Sequence, residues 1–233
     1  MKNFEGDVVK VDISKVEITQ YGNNYGLFAL QNIKKGEAVY VERAEIFHVL
    51  TEEDMSNPAC DACFLVRKIF QDSQTEKLYY ELGLESSNVG ESKPSRGDRI
   101  FLKRLAKKSK VSYERVLEIW LVVCAYHVKA VQDKYISQRI RIQLSKNFNR
   151  TNHSCNPNSD VIHKFSSKSD FDSRLLIVKA SRPIKNGEEV TFSYLDPSVA
   201  SILNVESRRE LIKSTYGFTC MCDKCIEESD STY

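Results

Sequence analysis

The stretch CMCDKC at residues 220–225 and the stretch NHSCNPN at residues 152–158 together decide how this chain folds. The first places three cysteines within six residues, and this C-x-C-x2-C spacing is typical of zinc sites, where a tetrahedral ion takes four soft ligands. Because the cluster supplies three ligands, a fourth must come from elsewhere in the chain. The sequence offers four candidates for that ligand, namely Cys124, His153, Cys155 and His163. A metal that recruited Cys155 would tie the C-terminal tail to the segment around Asn152.

The composition is that of an ordinary globular chain of 233 residues, with 41% hydrophobic and 28% charged residues. No apolar run is long enough to span a bilayer, and the first residues lack a hydrophobic signal core, so we expect an intracellular protein without membrane association. Seven cysteines in a reducing compartment, an odd number, predict thiols or metal ligands and not disulfides. The net charge of +2 gives no sign of nucleic-acid binding.

Two distant segments share one pattern, AxxxIKxGExV, at residues 29–39 and again at residues 180–190. Each places a polar, glycine-containing turn between two apolar stretches, which predicts a connection between β-strands. The matching turns indicate two parts of one β-rich core and not an array of repeats. Residues 26–50 as a whole have the pattern of successive strands.

The chain between these two segments has a different character. Residues 51–97 are polar and interrupted, and Asp98 is expected to cap a short helix that runs through Lys108. A longer helix is predicted from about Tyr113 to Lys134, because apolar residues recur there at helical spacing. Those residues are Val116, Ile119, Trp120, Val123, His127, Ala130 and Val131. A mostly helical insertion therefore splits the predicted β-rich scaffold.

Three motifs in a fixed order carry a family resemblance: NHSCxPN at 152–158, GEExxxSY at 187–194 and CxCxxC at 220–225. Together they resemble the SET-domain protein lysine methyltransferases. The segment from Arg208 to Cys220 resembles the SMYD-like branch of that family, in which an insertion splits the SET domain. The resemblance covers residues 20–50 and 140–226.

The resemblance implies an α+β protein, with a β-rich, pseudoknot-like SET fold, a mainly helical insertion and a C-terminal zinc-binding post-SET tail. In the pseudoknot-like arrangement the segment at Asn152 threads under another loop and meets Tyr194. The implied divisions are residues 1–50 and 140–200 for the two parts of the SET domain, 51–139 for the insertion and 201–233 for the post-SET region.

The resemblance also implies a reaction, the transfer of a methyl group from S-adenosylmethionine to a protein lysine amine. Transfer from a sulfonium is an in-line displacement, so the protein must hold amine, methyl and sulfur collinear in a dry channel. The amine must lose a proton, and desolvation in an aromatic channel lowers its pKa from about 10.4. We expect a monomer in the nucleus and/or cytoplasm. Its partner is expected to be a protein that presents a lysine, a histone or another target.

Tyr194 matches the tyrosine that the family places beside the departing methyl group, and it is the implied catalytic residue. Phe218 is expected to stack on the adenine of the cofactor. The full set of implied cofactor-binding residues is Tyr25, Gly26, Leu27, Asn152, His153, Tyr194, Tyr216 and Phe218. The competing interpretations are structural, since buried aromatic residues are common in cores and His153 precedes a tight turn.

The resemblance selects the metal ligands from the candidates above, as a structural zinc site of four thiolates. These ligands are Cys155, Cys220, Cys222 and Cys225. A closed shell of this kind leaves no open position, so the metal is expected to order the tail and not to touch the substrate.

Two departures from the family pattern stand out. Asn24 occupies a position where the cofactor loop commonly has a glycine between Gly22 and Gly26, although asparagine tolerates positive φ better than most residues. Cys60 and Cys63 look like the opening of a MYND finger whose remainder is absent. They have the spacing to form a second zinc site with Cys124 and His127, which are the two candidate ligands on the long predicted helix. The interpretation we favour from the sequence is free thiols and a packed helix face. These departures motivate an alternative function, a catalytically inactive SET-like protein-interaction module stabilised by zinc.

Overall fold

Four strands, five helices, six further strands and three helices follow one another along the described part of the chain. The computed structural model describes residues 11–21, 24–71, 73–84, 92–131, 140–163 and 175–230. The strands are β1 (Val16–Tyr21), β2 (Asn24–Ala29), β3 (Ala38–Arg43), β4 (Ile46–Val49), β5 (Val128–Val131), β6 (Ile140–Leu144), β7 (Asn152–His153), β8 (Ser159–His163), β9 (Leu175–Ala180) and β10 (Glu189–Phe192). The helices are α1 (Glu52–Ser56), α2 (Asp61–Ile69), α3 (Ser73–Glu81), α4 (Arg96–Ser109), α5 (Tyr113–Tyr126), α6 (Pro197–Ala200), α7 (Val205–Tyr216) and α8 (Asp223–Asp230).

The chain divides into two compact units, and each is built from separate stretches of sequence. The first unit comprises residues 1–43, 150–152 and 157–192, and the second comprises residues 44–149, 153–156 and 193–233. The strands of the first unit belong to two sheets, in the orders β1-β2-β10-β7 and β3-β9-β8. The pairs β1-β2, β2-β10, β3-β9 and β8-β9 are antiparallel. The third sheet, β4-β6-β5, belongs with helices α1 to α5 in the second unit.

The two matching turn segments pair with each other in the first unit. Ile33 and Ile184, both almost fully buried, exchange two backbone hydrogen bonds of 2.8 and 2.9 Å. The flanking bonds follow the same two-fold relation, with Gly36 donating to Ala180, Gly187 to Ala29, Ala180 to Glu37 and Ala29 to Glu188. The prediction that the two turns belong to one β-rich core is confirmed, because each turn is held by the strand that borders the other.

Helices and a short sheet share the largest core of the second unit. Nearly all of α2 is buried, and it packs against α4, α5, β4 and β6. Helix α4 begins two residues before Asp98, with Ser95 as its N-cap, so the prediction that Asp98 caps this helix was wrong. Asp98 is instead the third residue of a capping box, in which its carboxylate accepts the Ser95 N–H at 2.8 Å.

Helix α5 is shorter than the sequence predicts. It ends at Tyr126, and His127 has extended backbone angles of φ −71° and ψ 145°. The next residues form β5 and pair with β6, so the prediction of a helix reaching Lys134 was wrong over this stretch. The hydrogen bonds that β6 offers outweigh the helical spacing of the apolar residues. Residues 132–134 lie outside the described residues. Among those described, no helix combines the length and the hydrophobicity needed to cross a membrane.

The paired turns predict equal effects of one substitution at two sites. Gly36 and Gly187 have φ values of +87° and +79°, and a Cβ atom at either position meets nothing closer than 3.8 Å. Only backbone strain therefore acts on alanine, and Gly36→Ala and Gly187→Ala should each lower the free energy of unfolding by about 1–2 kcal/mol. Urea denaturation followed by circular dichroism measures this effect, and Gly→Asn at either site should cost less. Unchanged stability in one alanine variant beside a clear loss in the other would contradict the equivalence.

Candidate functional site

Four cysteine thiols converge in the second unit. The sulfurs of Cys155, Cys220, Cys222 and Cys225 all lie within 4.8 Å of one another. Cys155 Sγ lies 3.9 Å from Cys220 Sγ and 3.5 Å from Cys225 Sγ. In a tetrahedral zinc site with Zn–S bonds of about 2.3 Å, the sulfurs are about 3.8 Å apart. The four thiols therefore fit a zinc ion.

Local structure brings the tail thiols to Cys155. Helix α7 ends at Gly217, whose φ of +81° turns the chain back, and Cys225 lies in the first turn of α8. Cys220 and Cys225 are buried in a small core with Leu195, Val205 and Ile212. A zinc ion held by four thiolates keeps no open coordination position, so its contribution here is to order the tail.

The Cys220 thiol has a lowered pKa, which favours the thiolate form that binds a cation. The hydrogen bond from the Cys155 thiol lowers the pKa of Cys220, and the same bond raises the pKa of Cys155. Cys155 N–H also points at Cys222 Sγ, at 3.4 Å. A thiolate is the form of cysteine that ligates metal, so binding releases the protons that the remaining thiols still carry.

Arg208 is a part of this site that the sequence interpretation did not single out. Its side chain is only 2% exposed, donates to Leu203 O at 2.8 Å and forms an ion pair with Glu228. The guanidinium also reaches Cys225 Sγ at 3.7 Å. A buried cation at this position offsets the negative charge of the thiolates. The only signal in the sequence was its place within the family-like segment before the cluster.

An aromatic group surrounds Tyr194 in the same unit. Its ring centroid lies 4.8 Å from that of Tyr216, 5.2 Å from that of His153 and 6.3 Å from that of Phe218. Phe218 is 38% exposed, whereas His153 is 9% exposed. The structure thus brings together the implied catalytic residue and three of the implied cofactor-binding residues.

The backbone of Tyr194 is held on both sides by side chains of this group. Its N–H donates to His153 Nδ1 at 2.9 Å, and its carbonyl accepts from the Tyr216 hydroxyl at 3.3 Å. Burial raises the pKa of Tyr216, so this hydroxyl keeps its proton and remains a donor. Both the amide and the carbonyl of Tyr194 are therefore fixed.

His153 connects the aromatic group to the thiols. Its Nε2 lies 3.3 Å from Cys155 Sγ, while Nδ1 accepts from the Tyr194 amide. Because an amide can only donate, Nδ1 carries no proton and the ring proton resides on Nε2, which donates toward the sulfur. The imidazole therefore serves as a spacer between Tyr194 and the cysteine cluster, in addition to any contact with cofactor.

The remaining implied cofactor-binding residues belong to the first unit. Asn152 donates through Nδ2 to Tyr25 O at 2.8 Å and to Glu189 Oε1 at 2.7 Å. Leu27 is 1% exposed and pairs with Val190, and its buried neighbour Gly26 lies in the same strand. The structure brings Asn152 beside Tyr25, with both of its amide hydrogens engaged. Asn24 begins β2 opposite Tyr21, and Gly22 lies outside the described residues.

Asn158 is a second residue that the sequence interpretation left unassigned. It is 1% exposed and joins the start of β8 to β10. Its Nδ2 donates to Glu188 Oε1 and to Glu189 O, and its Oδ1 accepts from Thr191 N–H at 2.9 Å. A buried amide with this many partners has a structural role, which accounts for the asparagine that ends the motif.

The chain is similar to several known proteins. A sequence model of the SET domain matches residues 24–195. The chain is 39% identical over 80 residues to the histone-lysine N-methyltransferase ATXR2 of Arabidopsis thaliana, covering 34% of this chain and 15% of that protein. It is 38% identical over 79 residues to the human protein-lysine N-trimethyltransferase SMYD5, covering 34% of this chain and 17% of that protein. The matched part thus spans less than a fifth of the length of either relative.

A solved structure shows the same fold. The SET domain of LSMT, bound to lysine and AdoHcy, superimposes with a TM-score of 0.53 and 13% sequence identity. The superposition covers 89% of this chain and 53% of that one. The α+β fold class, with mixed strands and helices and a cysteine cluster near the C-terminus, is confirmed.

The buried charge of Arg208 predicts a loss of metal affinity when it is removed. Arg208→Met should weaken zinc binding about 10–100-fold, the range usual for residues that support metal ligands, because the thiolates lose their neighbouring cation. Arg182→Met, which removes an exposed arginine paired with Glu188, is the matched control and should leave the affinity unchanged. Competition with a chromogenic chelator measures both. Equal affinity in the two variants would contradict the role of Arg208.

Proposed function

This chain is a member of the SET-domain family, and on that premise we propose that it transfers the methyl group of S-adenosylmethionine to the side-chain amine of a protein lysine. The observation that carries the proposal is the fixed backbone of Tyr194 within a group of three rings. The matched relatives are named as lysine methyltransferases, and the LSMT structure holds lysine and AdoHcy, which supports the same chemistry here.

The chemical task suits a rigid tyrosine. The lysine nitrogen attacks the methyl carbon as the bond from carbon to the sulfonium sulfur breaks, and the sulfur leaves as a neutral thioether. S-adenosylmethionine supplies the electrophilic methyl group, so the protein contributes alignment, exclusion of water and loss of the amine proton. We assign to the Tyr194 hydroxyl the orientation of amine and methyl. The hydrogen bonds to its N–H and its carbonyl fix the main chain from which this side chain projects, and the neighbouring rings pack against the side chain.

We assign cofactor binding first to the rings beside Tyr194. Phe218 presents its ring at an interplanar angle of 86° to Tyr194 and is exposed enough to stack on adenine. His153 and Tyr216 complete the group, and their backbone and ring atoms set its shape. Tyr25, Gly26, Leu27 and Asn152 belong to the other unit, and their part in cofactor binding stays a prediction from the family resemblance.

The proposed substrate is a protein that presents a lysine in an accessible segment. A histone is one candidate because ATXR2 is named for histone lysine, whereas SMYD5 is named for protein lysine in general. We further propose a monomer that acts in the nucleus and/or cytoplasm without binding nucleic acid directly. The net charge of +2 supports this last point.

Tyr194→Phe tests the catalytic assignment. Removal of the hydroxyl should lower kcat by about 10²–10³, as loss of one oriented donor does elsewhere, while the Kd for S-adenosylmethionine changes little. Labelled-methyl transfer to histones and to whole-cell extract gives kcat, and calorimetry gives Kd. Tyr80→Phe is the matched control, because Tyr80 is 47% exposed on α3 and should leave both constants unchanged.

Two results would contradict the proposal. Equal losses of kcat and cofactor affinity in Tyr194→Phe would assign the hydroxyl to binding. An intact wild-type protein that binds no S-adenosylmethionine at millimolar concentration would favour the alternative, an inactive SET-like interaction module.

A further inference from the structure

Four of the seven cysteines belong to the tail cluster, and the other three are Cys60, Cys63 and Cys124 in the helical part of the second unit. Two of these three sulfurs are adjacent, because Cys60 Sγ is 3.6 Å from Cys63 Sγ. This group plays no part in the proposed methyl transfer, so its geometry needs a separate explanation.

A carboxylate completes the group. Asp98 Oδ1 lies 3.3 Å from Cys63 Sγ, and the ligand atoms of Cys60, Cys63 and Asp98 are all within 4.8 Å of one another. Zinc bonds of about 2.3 Å to sulfur and about 2.0 Å to oxygen place tetrahedral ligands about 3.8 Å and about 3.5 Å apart, respectively. The sulfur spacing also matches that of the tail cluster, 3.5 and 3.9 Å.

The Asp98 carboxylate is buried among hydrogen-bond donors. It is 5% exposed, and its partners are the N–H groups of Cys60 and Ser95, at 2.6 and 2.8 Å, and the Cys63 thiol. No lysine or arginine among the described residues forms an ion pair with it. Buried charges in proteins are normally paired or bound to a metal, so this carboxylate fits a cation that the thiols would share.

Two helix N-termini and an indole also favour negative charge at this position. Cys60 is the N-cap of α2, and Asp98 is the third residue of α4, so the positive ends of both helices converge on the group. Trp120 Nε1–H donates to Cys60 Sγ at 3.3 Å. These donors stabilise the thiolate that a metal requires.

The close approach of α4 to the segment before Cys60 depends on Gly97, which has no side chain. A Cβ atom at Gly97 would lie 2.5 Å from the carbonyl oxygen of Pro58, two residues before Cys60. Only glycine lets the first turn of α4 come this close, and that approach puts Asp98 beside Cys60 and Cys63. The position of Asp98 beside the two thiols therefore depends on the glycine at residue 97.

We propose that Cys60, Cys63 and Asp98 bind a second zinc ion, which joins helices α2 and α4. The ion replaces the protons shared among the thiols and the carboxylate, and these protons are released. The protein supplies three ligands, and none of them belongs to the residues proposed for methyl transfer, so we assign the site a structural role. The site differs from the set that the sequence suggested, because Asp98 belongs to it whereas Cys124 and His127 lie outside the cluster. The ring of His127 instead contacts Val123 O at 2.8 Å.

Metal content of the full chain tests the proposal. We expect two zinc ions per chain in wild type after purification with zinc and dialysis, and one in each of Cys63→Ser and Cys222→Ser. The two variants are matched, since each removes one sulfur from one cluster. A single zinc ion in wild type that persists in Cys63→Ser and disappears in Cys222→Ser would overturn the second site.

A measurement on the wild-type chain alone covers the case in which a variant fails to fold. Cadmium NMR of the cadmium-substituted protein should give two resonances, one typical of four sulfurs and one shifted by an oxygen ligand. Gly97→Ala should remove the second resonance and leave the first. A single resonance, or a wild-type chain isolated with a disulfide between Cys60 and Cys63, would overturn the proposal.

Discussion

The hydrogen bond from the Tyr194 amide to His153 Nδ1 is the contact on which the account of this site depends. It gives one imidazole two tasks, because the opposite ring nitrogen lies against Cys155 Sγ. The cysteine cluster fixes the C-terminal tail, and Tyr216 and Phe218 of that tail lie beside Tyr194. His153 contacts both the cluster and Tyr194, so the position of Tyr194 depends on the cluster. In the proposed function, a metal with no chemical part in methyl transfer therefore influences the position of the tyrosine to which we assign the orientation of the methyl group.

Features that depend on short-range chemistry were predictable from the sequence. The repeated turn pattern at residues 29–39 and 180–190 can be recognised in the amino-acid sequence, and in the structure the two segments pair through Ile33 and Ile184. The spacing of the tail cysteines predicted a thiol cluster, because three cysteines within six residues are typical of a metal site. The catalytic role of Tyr194 stays a prediction from the family resemblance, since a tyrosine at a strand end is otherwise an ordinary core residue.

Features that depend on a distant partner were not predictable. Helix α5 stops at Tyr126 because β6 supplies hydrogen bonds to the following residues, and its apolar spacing continues regardless. Asp98 reads as a helix cap, yet its second oxygen faces Cys60 and Cys63, which are more than 30 positions away in sequence. The sequence does not distinguish Arg208 from the other arginines, because its contact with Cys225 appears only in the folded chain. In each case, the role of the residue depends on neighbours that are distant in sequence, and its residue type alone does not reveal it.

Amide hydrogen exchange at Tyr194, measured by NMR with zinc bound and after chelation, tests whether the cysteine cluster holds Tyr194 in place. We expect the Tyr194 N–H to be protected in the zinc-loaded protein and to lose protection when the metal is removed, because His153 loses its support. The Ile33 N–H, bonded to Ile184 O at 2.8 Å in the first unit, is the internal reference and should stay protected. Unchanged protection of Tyr194 after complete removal of zinc would show that the cluster does not hold the tyrosine in place.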